Sequence, residues 1–149
     1  MILSKNFTLN EFTKSVSAIM SGIDNNPTPE HIRNIKLLVK YVLQPLREAL
    51  GHPIRVTSGY RSEKLNTLIK GSKRSQHCKG QASDIQFKVD GVMSNKIIWD
   101  KIIELDLPFD QMINEFNYSW IHISYNHEYN RKALLEAYRE SGKTKYKWV

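Results

Sequence analysis

The chain has 149 residues, about the modal length for one domain, so one hydrophobic core and one site are expected. With 40% hydrophobic, 10% aromatic and 25% charged residues it can bury enough apolar surface to offset chain entropy, which excludes wholesale disorder. The single cysteine, Cys78, excludes an internal disulfide, no window approaches the roughly 20 apolar residues of a membrane span, and the net charge of +7 favours anionic surroundings.

In chain order, Thr8 followed by Glu11 forms a capping box, with Phe7 and Phe12 at the spacing of a hydrophobic staple. The first helix is therefore predicted over about residues 9–20. Residues 22–29 read as a loop. A second helix starts with Thr28 as N-cap and Pro29 at the first helical position. It carries Ile32, Ile35, Val39, Val42 and Leu46 on one face and stops at Gly51. Pro45 lies inside this pattern, lacks an N–H and should kink or divide the helix. Beyond Gly51 the periodicity changes to alternating or short apolar runs, which predict strands at 54–57, 82–87, 111–116 and 120–124. Short helices are predicted at about 63–69 and 95–105. From Asn126 the chain is expected to form a C-terminal helix over 131–139 and a basic, aromatic tail over 143–149, with Tyr146 and Trp148 as packing anchors. This order implies an α+β domain spanning 1–149, a small, mainly antiparallel sheet with flanking helices.

Residues 75–84 read SQHCKGQASD and place His77 and Asp84 seven positions apart on either side of Gly80. That separation is too wide for one helical face and suits a loop leading into a strand, with Gly80 allowing a tight turn and Ala82 kept small. A third ligand is available from His122 in the apolar run WIHIS. Two imidazoles and one carboxylate leave a fourth position for water, the pattern of a catalytic rather than a structural zinc. A lone histidine in an apolar strand is more often a hydrogen-bonded core residue; the joint occurrence favours the metal.

SQHCKGQASD followed by WIHIS resembles the family of zinc D-Ala-D-Ala carboxypeptidases and L-alanyl-D-glutamate endopeptidases. That family is marked by S-x-H-x-x-G-x-A-x-D and a later W-x-H, and here Ser75, His77, Gly80, Ala82 and Asp84 fill the first motif. VTSGYRS resembles the family's S-G-Y-R-S element. FTLNEF and QPLREALGHPIRVTSGYRS resemble its short phage and bacterial members, so the likeness runs to about Tyr125. It implies the hedgehog/DD-peptidase fold and a Zn2+ cofactor held by His77, Asp84 and His122. It further implies Arg61 as stabiliser of the oxyanion, with Ser75 and Tyr60 as substrate contacts. Arg61 as an ion-pair partner and Ser75 as a cap or turn residue remain open.

Many members place the catalytic Glu three residues before the last His, where this chain has Ser119. The nearest preceding carboxylate is Glu115. If Asn117 and Tyr118 form a two-residue turn, Glu115 pairs with Trp120, and His122 becomes its diagonal neighbour on the same face, about 7–8 Å away at the backbone. Glu115 is thus the expected general base, with Glu128 and His127 as reserves. Cys78 occupies a variable position and is not expected to be a nucleophile.

The resulting expectation is zinc-dependent hydrolysis of peptidoglycan stem or cross-link peptides. The alternative is a non-catalytic, zinc-stabilised cell-wall-binding module on the same fold. Carboxypeptidase and endopeptidase members share these ligands, so the ligands do not select the bond, and no feature specifies an oligomeric state. Basic residues gather at 70–79 and 143–147 without the aromatic interleaving of single-strand binders, so no specific nucleic-acid partner is expected. Met1, Ile2 and Leu3 are too short an apolar stretch for a signal peptide. Synthesis in the cytoplasm is expected, with action on the cell wall after release by a phage holin or another export route.

Overall fold

A computed structural model describes residues 1–149. Its helices are α1 (Asn10–Thr13), α2 (Val16–Met20), α3 (Pro29–Leu38), α4 (Gln44–Leu50), α5 (Glu63–Leu68) and α6 (Asn95–Glu104). Its strands are β1 (Arg55–Ser58), β2 (Ala82–Gln86), β3 (Lys88–Val89), β4 (Val92–Met93), β5 (Gln111–Glu115), β6 (Trp120–Ser124), β7 (Ala133–Glu140) and β8 (Lys143–Trp148). Six strands form one sheet in the order β1-β2-β6-β5-β7-β8, while β3 and β4 make a separate ribbon. Only the β5–β7 pair of the large sheet is parallel, so the architecture is α+β with a mainly antiparallel sheet.

Period-2 alternation gives this sheet two unlike faces. Ile85, Ile121, Ile123 and Met112 point to one face and are fully buried, in a core with Leu38, Leu43, Leu46, Ile98 and Ile102 from α3, α4 and α6 and the π-helical turn joining α3 to α4. Each such side chain contributes about 1.5–3 kcal/mol of apolar burial. The other face carries Asp84, His122 and Glu115, so the packing that holds the sheet leaves its polar face free for chemistry.

Thr28 caps α3 as expected: its Oγ1 accepts from the His31 N–H, and His31 Nδ1 accepts from the Thr28 N–H. Pro45 divides the long helix: α3 passes through a π-helical turn, Val39–Leu43, before α4. A proline ring crowds the carbonyl four residues back and removes one donor, and the wider turn relieves both.

Three expectations are corrected. The helix over 9–20 is two short helices, because Lys14 is extended and the Ser15 hydroxyl starts α2 by accepting from the Ala18 N–H. The terminal carbonyls of α1 find partners elsewhere: Phe12 O accepts from the Tyr60 N–H at 2.6 Å and Thr13 O from Asn25 Nδ2 at 2.8 Å. Tertiary partners thus replace the next helical turn.

The β5–β6 connection is not a two-residue turn. Glu115 does pair with Trp120, but residues 116–119 form the turn and Phe116, Asn117 and Tyr118 all have positive φ. Left-handed backbone in two aromatic residues is costly and needs outside support. Asn95 provides part of it: buried at the start of α6, it donates to the Tyr118 and Ser119 carbonyls.

The C-terminal helix expected within 126–149 is a β-hairpin, β7–β8. Leu, Glu, Ala and Arg favour a helix, but the free edge of β5 offers a five-residue parallel ladder that satisfies the backbone instead. Ser141 and Gly142 both have positive φ, the geometry of a primed hairpin turn. Tyr146 and Trp148 are not anchors; they stand 56% and 75% exposed.

Candidate metal centre

The sheet register brings together residues far apart in sequence. On β2 and β6, Asp84 and His122 are directly paired. His77 arrives on the 3-10 helix Gln76–Lys79, which Ser75 caps and Gly80 ends with φ +75°. A Cβ at Gly80 would stand 2.5 Å from the His31 carbonyl oxygen, so the residue serves both the turn and the close approach of α3. His77 Nε2 lies 3.3 Å from Asp84 Oδ1 and 3.2 Å from His122 Nδ1, and His122 Nδ1 lies 3.1 Å from Asp84 Oδ1. His77, Asp84 and His122 therefore meet as a cluster able to hold a metal ion.

Proton bookkeeping tests whether this donor set suits a cation. His77 Nδ1 is 2.7 Å from the Gly59 carbonyl oxygen, which can only accept, so the ring proton sits on Nδ1 and Nε2 presents a lone pair. That lone pair points at the Asp84 carboxylate and at His122 Nδ1. At most one proton, on His122, can relieve three converging acceptors; a divalent cation relieves all of them at once. The donor set fits zinc, with two nitrogens and one oxygen.

The electrostatics agree. Burial alone would raise the Asp84 pKa, but positive charge at the adjacent His77 and His122 side chains outweighs it and holds the carboxyl well below the usual range, so the site favours a carboxylate facing a cation. Burial lowers the His77 pKa against the pull of Asp84, which keeps the imidazole neutral, the form that ligates metal.

The cluster opens into a cavity of about 740 Å³. Glu115, Arg61 and Ser75 line it; Tyr60 does not. Glu115 is 8% exposed, and burial, opposed mainly by His122, pushes its pKa up to about 7. Arg61 is held on three sides: Nε donates to Ser58 Oγ at 3.2 Å, Nη1 to Asn66 Oδ1 at 3.0 Å, and Nη2 lies 3.7 Å from Asp84 Oδ2. It is an ion-pair partner of Asp84 and a cavity cation at once. Ser75 Oγ accepts from the His77 N–H at 3.2 Å, a capping bond that leaves the hydroxyl proton to point elsewhere. Tyr60, expected as a substrate contact, is buried in the core with its ring 4.6 Å from that of His31 and is not among the residues lining this cavity. Glu128 and His127, the reserves for the base, pair with each other at 3.9 Å outside this cavity. Cys78 also lies outside it, and burial raises its thiol pKa.

Other contributors carry little signal in the sequence. Gly59 orients His77 through its carbonyl, and Asn66 bridges Arg61 to the Ser72 carbonyl. Asn25 accepts from the Ser62 N–H and donates to the Tyr60 carbonyl, clipping the segment that presents Arg61. Arg131, just before β7, and Arg139, Thr144 and Tyr146, from the C-terminal hairpin, reach the cavity. Only that hairpin was foreseeable, from the Ser141-Gly142 turn before the alternating run TKYKW.

No curated protein matches the chain. A family model described as Peptidase M15 matches residues 5–124, which hold every residue of the cluster as well as Arg61 and Glu115, and whose members are metal-dependent peptidases. The chain belongs to the Peptidase M15 family.

Proposed function

We propose that this protein is a zinc-dependent peptidase acting on peptidoglycan stem or cross-link peptides at the cell wall. The observation that carries the proposal is the triangle of His77 Nε2, Asp84 Oδ1 and His122 Nδ1, with sides of 3.1–3.3 Å, at the floor of a cavity that also holds a buried Glu115. Zinc held by these three residues would supply Lewis acidity, acidifying a water and polarising the scissile carbonyl.

The remaining work belongs to the chain. Glu115, with a pKa near 7, is poised to take a proton from the attacking water and to deliver it to the leaving amine; a normal carboxyl would hold that proton too weakly for the second step. Arg61 balances the charge that develops on the tetrahedral oxygen, and its three tethers fix it before the substrate arrives. The Ser75 hydroxyl donates to the bound peptide. The route needs no covalent intermediate, since the attacking group is water.

The test is to incubate zinc-loaded protein with purified peptidoglycan and identify the released muropeptides by mass spectrometry. Fragments with new peptide termini are expected, and they disappear after chelation or with His122→Ala. Activity that survives stringent chelation overturns the zinc mechanism. A purely binding module would keep its affinity for the wall in Glu115→Gln and release no fragments with either protein.

A further inference from the structure

The hairpin β7–β8 lies beyond the family match, which ends at residue 124, yet it continues the face that carries the metal cluster. Partners in a ladder share a face. Across the sheet, Asp84 pairs with His122, His122 with Ile113 and Ile113 with Leu135. One row over, Glu115 pairs with Ala137, and Ala137 with Tyr146. Ala137 is small, so the Tyr146 ring can lean across it toward Glu115, and both residues line the cavity. Arg139, next along the same face, places its guanidinium 4.9 Å from the centre of the Phe116 ring, at the turn that follows Glu115.

The charge in this cavity is unbalanced. Arg61 and Arg131 are committed, to Asp84 and to Asp110 respectively. Lys70, Arg74 and Arg139 also line the cavity and have no carboxylate within ion-pair distance. The lining carboxylates are Asp84, tied to the two histidines, and the buried Glu115. Three unpaired cations around a concave site repel one another, and a bound anion relieves that repulsion. Arg139 is also stacked on an aromatic ring, an arrangement that presents its donor edge in a fixed direction.

We propose that the β7–β8 hairpin is a specificity wall, on which Arg139, together with Lys70 and Arg74, binds a carboxylate of an acidic peptide substrate. This rests on the peptidase reading above and adds the chemical class of peptide preferred. The root of the wall is fixed to the metal-bearing segment. Asp110, at the entry to β5, accepts from Arg131 Nε at 3.0 Å and Nη2 at 2.9 Å, and also from Gln76 Nε2 at 3.0 Å, the residue before His77. These bonds tie the root of the wall to the segment that carries His77.

The experiment compares two synthetic stem-type peptides of one sequence, with free carboxylates or with the same groups amidated. Zinc-loaded wild type should cleave the acid form with a kcat/KM about tenfold higher, as for one charge-assisted contact, and the preference should shrink in high salt. Arg139→Gln should lower the acid value several-fold and leave the amide value unchanged, while Arg139→Lys restores part of the preference. Arg74→Gln should narrow the ratio as well, which keeps the test decisive if Arg139→Gln folds poorly. Equal rates for the two peptides, or an equal loss on both in the Arg139 and Arg74 variants, would overturn the proposal. If neither peptide is cleaved, the peptidase reading fails by itself, and calorimetric binding of the same pair decides here: preference for the acid supports the wall, equal affinity removes it. Tight binding of a phosphodiester polymer with no acid–amide preference assigns the patch to polymer binding and also overturns it.

Discussion

The two halves of the large sheet are built to different standards. Around β1-β2-β6-β5 the site side chains are buried: His77, on the adjoining 3-10 helix, is 2% exposed, His122 9% and Glu115 8%; both histidines meet Asp84, and the turn after Glu115 keeps three left-handed residues that α6 helps to support. In β7–β8 every residue of the outer strand is exposed, and the hairpin is held through β7, by its ladder to β5, the buried Ala133 and Ala137, Leu134 against the core and the Asp110–Arg131 root. Preorganised chemistry needs groups that cannot relax, which requires burial and several partners each. A substrate wall needs only position, and an exposed strand supplies it. On the functions proposed above, chemistry and selectivity separate along one sheet, and mutations should sort by half.

The largest effects belong to the inner half. His77→Ala removes a ligand and is expected to abolish stoichiometric zinc binding, read by metal analysis after dialysis, and to cut activity by about three orders of magnitude or more. Undiminished zinc content in that variant would break the comparison at its root. Glu115→Gln should keep zinc and fold while kcat falls about 10²–10⁴-fold. A matching rise in KM with unchanged kcat would reassign Glu115 to substrate binding.

Gly80→Ala should cost about 2–4 kcal/mol in denaturant unfolding, because a left-handed backbone and a 2.5 Å contact with backbone oxygen coincide there. A loss below about 1 kcal/mol would mean that α3 shifts freely.

The pH dependence of the metal-free protein sharpens the same contrast. Burial raises Glu115 from 4.5 to about 7, so between those values the folded chain holds a proton that the unfolded chain has released. Stability from this group is full below pH about 4.5 and declines as pH rises to about 7, by roughly 2–3 kcal/mol. His77, with its lowered pKa, acts in the opposite sense, losing stability as pH falls below its ordinary value of 6.5. The difference between wild type and Glu115→Gln, followed by denaturation at pH 5 and pH 8, isolates Glu115. A pH-independent difference would show that its carboxyl is solvated. Smallest of all, Trp148→Ala on the exposed outer strand should change stability by about 0.5 kcal/mol or less. A cost of several kcal/mol would make the hairpin part of the core.

Much of the inner half was legible because local rules and the fold agree there. Thr28-Pro29 starts a helix, Pro45 divides it and Gly51 ends it, for reasons contained in those residues alone. The ten residues from Ser75 to Asp84 and the WIHIS run announced the three residues that meet as a cluster able to hold a metal ion, because metal chemistry demands particular atoms whatever the surroundings. The Glu115–Trp120 pair, expected from a two-residue turn at Asn117 and Tyr118, is present although the turn spans residues 116–119.

The rest was decided between segments. The first helix breaks because Tyr60 and Asn25 compete for its last carbonyls, and residues 133–140 become a strand because an unpaired β5 edge lies beside them. Tyr60 and Arg61 are neighbours with similar prospects in the sequence, but the chain turns one into the core and the other into the cavity. The sequence by itself determined the donor atoms, the helix stops and the two-faced strands, since each depends on side-chain identity or short-range periodicity. Only the tertiary structure decided which backbone groups pair, which carboxyl loses its water and which cations go without partners, because each depends on what lies opposite in space.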